Sequence, residues 1–143
     1  MKQVRNDSRK GQAIMEVTFI APWFLLLFAG VFDVGFYSYA AICTENAARV
    51  AAMHAARDAT LAADASMGDL ARADVCQEMR SLPNVGSTCP SSVVQVSVAP
   101  QPFIGADGQA ATQVAVTYTT VPVIPIPGLM GRMTLTRVVQ IRI

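Results

Sequence analysis

The chain has 143 residues, of which 52% are apolar and only 15% charged, against roughly 25% charged residues in ordinary soluble domains. A net charge of +1 gives no basic footprint for nucleic acid. The missing charge is concentrated near the N-terminus, which points to a membrane segment rather than an evenly apolar globule.

The first ten residues hold Lys2, Arg5, Arg9 and Lys10 against Asp7 alone, and everything after them carries seven basic and nine acidic residues. A cationic start before an apolar run keeps an N-terminus cytoplasmic. From Val17 to Phe32 there is no charge, and Gln12 to Phe32 would span roughly 31 Å as a helix, about one bilayer core. A helix is required there because lipid offers no partners for backbone groups. Pro22 is expected to kink or locally open it. A buried core helix is the alternative, but a small domain has too little surface to cover Trp23, Phe24, Leu25, Leu26, Leu27 and Phe28 on all sides.

Beyond Asp33 the pattern stays helical. Ala40, Thr44, Ala47, Ala51 and Ala55 form one small row and Ala48, Ala52 and Ala56 a second, a surface that lets another element approach closely. Glu45, Arg49 and Arg57 keep the other side wet, and Glu45 with Arg49 suits an i,i+4 pair. Either one helix runs on toward Met67, or two helices meet at a bend near Asp58 to Asp64. A second, amphipathic helix is read over Asp64 to Leu82 with Leu70, Ala73, Val75, Met79 and Leu82 at helical intervals. Pro83, Asn84 and Gly86 end it.

The period then changes to two. Val94, Val96 and Val98 alternate in Val93 to Val98, Pro100 and Pro102 stop that strand, and Gly105-Ala106-Asp107-Gly108 reads as a hairpin loop. Gln113 to Val121 is a second strand with Val114, Val116 and Tyr118 on one face. The apolar loop Pro122 to Gly131 leads to a last strand, Met133 to Ile143. The expected fold is α+β: a long N-terminal transmembrane helix continuing into a small head, with a second helix and an antiparallel sheet of about three strands.

The residues at the start of the apolar run, Arg9-Lys10-Gly11-Gln12-Ala13-Ile14-Met15-Glu16, resemble a type IV prepilin processing site. In that family a membrane peptidase cuts after the glycine, and a glutamate stands fifth in the mature chain. Cutting after Gly11 makes Gln12 the new N-terminus and Glu16 the fifth residue, although major pilins usually begin with phenylalanine. Glycine leaves the backbone unhindered for a protease cleft. A carboxylate near the end of the span costs less than the roughly 3 kcal/mol of one at mid-bilayer. In the family, that carboxylate neutralises the freed amine of a neighbouring subunit. A plain interfacial residue of a signal anchor is the bland reading of Glu16. An ordinary secretory cleavage finds no small-x-small site near Tyr39-Ala40-Ala41, and a lipoprotein cleavage before Cys43 meets Ile42 where a small residue is needed.

Phe28-Ala29-Gly30-Val31-Phe32-Asp33-Val34-Gly35, then Asn46-Ala47-Ala48-Arg49, and late in the chain Pro125-Ile126-Pro127-Gly128-Leu129-Met130-Gly131 followed by Thr134-Leu135-Thr136-Arg137, look like the TadE-like family of tight-adherence pilus systems. The resemblance implies a type IV pilin-like minor pilin or pseudopilin in the bacterial inner membrane, with N-terminus cytoplasmic and head periplasmic. Its partners would be the bilayer, a prepilin peptidase, other pilin subunits and the assembly platform. Residues 1–11 would be a leader, 12–58 the membrane and spine helix, and 59–143 the head. Asp33 reads as the acidic residue marking the lipid–water boundary. The rival reading is an uncleaved single-pass accessory protein that scaffolds such a machine. A surface module binding through the Pro122 to Gly131 loop is a weaker one.

Cys76 and Cys89 flank the turn at Pro83 to Gly86. If the head faces an oxidising compartment they are expected to form a disulfide, leaving Cys43 over. His54, the one histidine, sits among alanines as an isolated residue, so no metal or other cofactor is expected. Asp64, Asp69 and Asp74 read as a solvated helix face. With no nucleophile–base set and no phosphate loop, neither an enzyme nor a small-molecule substrate is expected.

Overall fold

A computed structural model describes residues 4–57, 66–100, 103–122 and 131–143. Helix α1 (Val4–Arg57) is 54 residues long, about 80 Å at 1.5 Å per residue. It passes through Pro22 as one element. Proline removes one backbone bond, but the flanking apolar residues offer the chain no polar alternative to the helix. The hydroxyl of Thr18 in the turn before it donates to the Ile14 carbonyl at 2.8 Å.

Helix α2 (Ser66–Glu78) is a separate element, and the bend region expected near 58–64 lies outside the described residues. It ends in a 3₁₀ turn, Met79–Ser81, where the Leu82 N–H reaches back to the Met79 carbonyl at 3.0 Å. The chain then meets Pro83, which cannot continue a helix. The α2 segment runs back along α1: His54 touches Asp74, and Tyr39 touches Ser81. Its buried stripe is Met67, Ala71, Val75 and Met79. The expected face was partly misplaced, since Leu70 and Ala73 are exposed. A strict i,i+4 row meets the alanine ridge of α1 more closely than the wider stripe read from sequence.

Among the described residues the sheet has four strands: β1 (Val94–Val98), β2 (Phe103–Ile104), β3 (Ala110–Thr119) and β4 (Thr134–Arg142). All pairings are antiparallel, with β3 central, β4 on one side, and β1 followed by β2 on the other. The two-residue β2 was not foreseen, because Pro100 and Pro102 read as a stop. The chain instead returns to the same edge of β3, pairing Phe103 with Ala111. The β3 strand also starts three residues earlier than read, at Ala110. The hairpin loop forms as expected: Gly105 N–H bonds Gln109 O at 2.8 Å, Gly108 N–H bonds Gly105 O at 3.0 Å, and Gly108 adopts a φ of 76° open to glycine.

The core is a sandwich of α1, α2 and the inner face of the sheet. The small rows of α1 are buried from Ala40 to Ala55, and Val94, Val114, Val116 and Tyr118 close against them. Val94 lies opposite Tyr118, and Val96 opposite Val116, so a two-residue period on each strand fills one face. The β4 strand runs with α1 rather than against it. Tyr37 Oη donates to Gly131 O at 3.0 Å, Arg137 Nε lies 3.6 Å from Glu45 Oε2, and Arg49 and Met53 line a cleft with Val139 and Ile141. The sheet is thereby aligned with the long helix.

Candidate functional site

From Gly11 to Phe28 every side chain of α1 is exposed. Trp23 is 71% exposed and Phe28 67%, although large aromatics normally leave water on folding. The helix from Gly11 onward is long and apolar enough to cross a membrane, and only 6% of its most apolar 18-residue window is buried. A core helix of a soluble protein would be mostly covered. From Val17 to Phe32 the helix is apolar on all sides and uncovered by its own chain except for partial cover at Ala29 and Gly30, as a membrane-crossing segment would be.

The residues expected to direct processing lie at the near end of that rod. Gly11 is inside α1 and has open space where a Cβ would stand. Gln12 and Glu16 are exposed and one helical turn apart on the same face. Asp33, seventeen residues beyond Glu16 and so about 26 Å along the axis, differs from its neighbours. It is 3% exposed while Phe32 and Val34 are open, and it already has an interaction within the chain. Gly11, Gln12 and Glu16, the residues expected at a processing site, and Asp33 are therefore not brought together. They mark the two ends of the apolar rod.

The head is locked to the outer part of α1 by contacts that sequence reading missed. Tyr37 and Tyr39 reach Gly131 O (3.0 Å) and Ser81 Oγ (2.9 Å). Two tyrosines just past an apolar run are the aromatic-belt signal that would have found them. Glu45 accepts from Arg49, as expected, at 3.0 Å and also faces Arg137 of β4. Tyr118 Oη donates to Asn84 Oδ1 at 2.6 Å, and Asn84 Nδ2 donates to Thr119 O at 2.9 Å. Burial, and behind it the charge of Cys43, pushes the Tyr118 phenol up to about 12. Asp107 is held below the usual carboxylate range by the Gln109 N–H and then by the Arg142 guanidinium.

Cys76 and Cys89 are joined in a disulfide with Cα atoms 5.7 Å apart, and Cys43 is a free, half-buried thiol. Arg72 supports the bridged loop by donating to Cys89 O at 2.8 Å and Val94 O at 3.3 Å. His54 is not isolated: its Nδ1 lies 2.6 Å from Asp74 Oδ2, so it joins α1 to α2. Asp74 thus has a structural contact, whereas Asp64 lies outside the described residues, as does most of the Pro122 to Gly131 loop.

The TadE family model, described as TadE-like protein, matches residues 11–63. It takes in α1 from Gly11 to Arg57, including the Gly11, Glu16, Asp33 and Ala47-Ala48-Arg49 positions on which the resemblance rests. The late segment Pro125 to Arg137 lies outside the matched residues. No curated protein and no solved structure shows a significant match to the chain.

Proposed function

We propose that this chain, whose first part is TadE-like, is a minor pilin or pseudopilin. In this reading it is a non-enzymatic structural subunit that takes part in assembling a tight-adherence pilus. The observation that carries the reading is the rod from Gly11 to Val34, apolar and uncovered on nearly all faces, beginning at the Gly11…Glu16 spacing. Residues 1–11 serve as a cytoplasmic leader, 12–58 as membrane anchor and spine, and 59–143 complete a periplasmic head. Gly11 is the scissile residue, Gln12 the mature N-terminus, and Glu16 the carboxylate that meets a neighbouring subunit's amine. Such a pair gains strength from its apolar surroundings. Asp33 marks the outer boundary of the membrane. The partners are the bilayer, the prepilin peptidase, fellow pilins and the assembly platform.

The reading is tested by following the mass of the full chain expressed with and without a prepilin peptidase. Loss of residues 1–11 in the wild type and its block by Gly11→Leu are expected. A wild-type mass that stays at full length in the peptidase's presence refutes cleavage. One observation favours the second reading, an uncleaved accessory anchor: α1 runs helically through Gly11, whereas a protease cleft takes extended backbone. Glu16→Ala separates the two, because a filament subunit loses assembly and an accessory anchor does not.

A further inference from the structure

Seven arginines follow the basic leader, and the fold divides them. Arg49 and Arg137 face Glu45, Arg142 faces Asp107, and Arg72 is spent on the Cys89 and Val94 carbonyls. Among the described residues, Arg57, Arg80 and Arg132 have no hydrogen-bonded or ion-paired partner. Arg57 ends α1 at the far end of the head. Arg80 and Arg132 are both exposed, and both are held at the other end. Arg80 is next to Ser81, whose hydroxyl bonds Tyr39 at 2.9 Å, and Arg132 is next to Gly131, whose carbonyl bonds Tyr37 at 3.0 Å. Two segments far apart in sequence thus bring Arg80 and Arg132, each as the chain neighbour of a contact residue, to one level of α1, on different sides of it.

That level has a defined depth if α1 spans a bilayer. Tyr37 lies five residues beyond Phe32, about 7–8 Å along the axis. The polar layer outside each face of a roughly 30 Å hydrocarbon core is about 5–7 Å thick. Tyr37 is therefore at the outer edge of the headgroup layer, and Tyr39, about 10–11 Å beyond Phe32, stands just outside it, within the reach of a long basic side chain whose stem can lean toward the headgroups. Met133, half exposed (50%), adds an apolar side chain beside Arg132. The acidic groups nearby do not neutralise the pair: Asp33 is buried and engaged, and no salt bridge joins Glu78 to Arg80 among the described residues.

We infer that Arg80 and Arg132, set beside Tyr37 and Tyr39, form a collar at the base of the head that binds the phosphates of anionic phospholipid headgroups. Guanidinium suits phosphate through paired N–H donors. The collar seats the head on the outer leaflet and fixes its height above the membrane. This inference rests on the membrane reading of α1.

The test uses the full-length chain in nanodiscs of phosphatidylcholine with and without phosphatidylglycerol, with retained lipids counted by native mass spectrometry. The leader is identical in every arm, so its own lipid binding cancels. The wild type is expected to prefer phosphatidylglycerol, and Arg80→Gln with Arg132→Gln to lower that preference about tenfold, at several-fold per basic residue near the surface. Arg57→Gln should leave it unchanged, and Arg80→Lys with Arg132→Lys should keep most of it. Equal preference in the Gln pair and the wild type overturns the collar, as does an equal loss in Arg57→Gln. Failure of the wild type to stay in either nanodisc refutes the membrane reading itself, a separate and recognisable outcome. Retention of the Cys76–Cys89 bridge in each variant confirms that the head is folded.

Discussion

Removing the Cys76–Cys89 bridge is the sharpest test of how so small a head is held together. The bridge joins residues 13 apart in sequence, from the end of α2 across the 3₁₀ turn to the loop before β1. Closing a loop of that length removes unfolded-chain entropy equivalent to about 3 kcal/mol at 25 °C. In a head of about 85 residues, each kcal/mol moves the melting midpoint by roughly 4–8 °C, so the double Cys76→Ala, Cys89→Ala variant should melt about 12–24 °C lower. The assay is thermal unfolding in detergent, followed by circular dichroism, with Cys43 left in place. Loss of cooperativity at ordinary temperature also agrees, because small domains without staples are marginal. A midpoint lowered by less than about 4 °C would refute the reasoning. It would mean that Arg72, donating to Cys89 O at 2.8 Å, and the Val93 and Val94 N–H groups, donating to Pro90 O at 2.9 and 3.0 Å, fix the loop without the covalent link.

Two further outcomes follow from the core. Ala51 is fully buried where α1 meets α2 and the sheet, so Ala51→Leu should destabilise by about 1–3 kcal/mol through overpacking. Asn46→Leu on the exposed face of the same helix should change the urea midpoint little. Tyr118, with its phenol pushed up to about 12 by burial and then by Cys43, keeps its proton in the folded chain when the unfolded chain loses it near pH 10. The unfolded state then binds fewer protons, so this contribution is complete below about pH 10 and is lost as pH rises through 12. Urea midpoints measured across that window should fall for the wild type and fall less for Tyr118→Phe.

The periodicities that were plain in the sequence survived into the fold because each reports a single environment. A run without charge from Val17 to Phe32 has one stable medium. The alanine rows from Ala40 to Ala55 can only face a close neighbour, and the valines at 94, 96 and 98 can only fill one side of a sheet. The Cys76–Cys89 pairing was also accessible, since a turn between two nearby cysteines brings them within reach. What failed was local detail under competing constraints. Pro100 and Pro102 read as the end of pairing, but the chain returns to β3 as the two-residue β2. Leu70 was assigned inward, but the i,i+4 row Met67, Ala71, Val75 and Met79 fits the ridge of α1 better.

Sequence alone determined the long apolar helix, the second helix and the change from helix to strand, because the burial or exposure of a face acts on the residues of one segment at a time. Only tertiary structure decided that β4 runs with α1, that Arg137 of β4 joins the Glu45–Arg49 pair, and that Gly131 and Ser81 meet Tyr37 and Tyr39. These are meetings between residues about 40 to more than 90 positions apart, made by hydrogen bonds and an ion pair whose partners no local pattern announces.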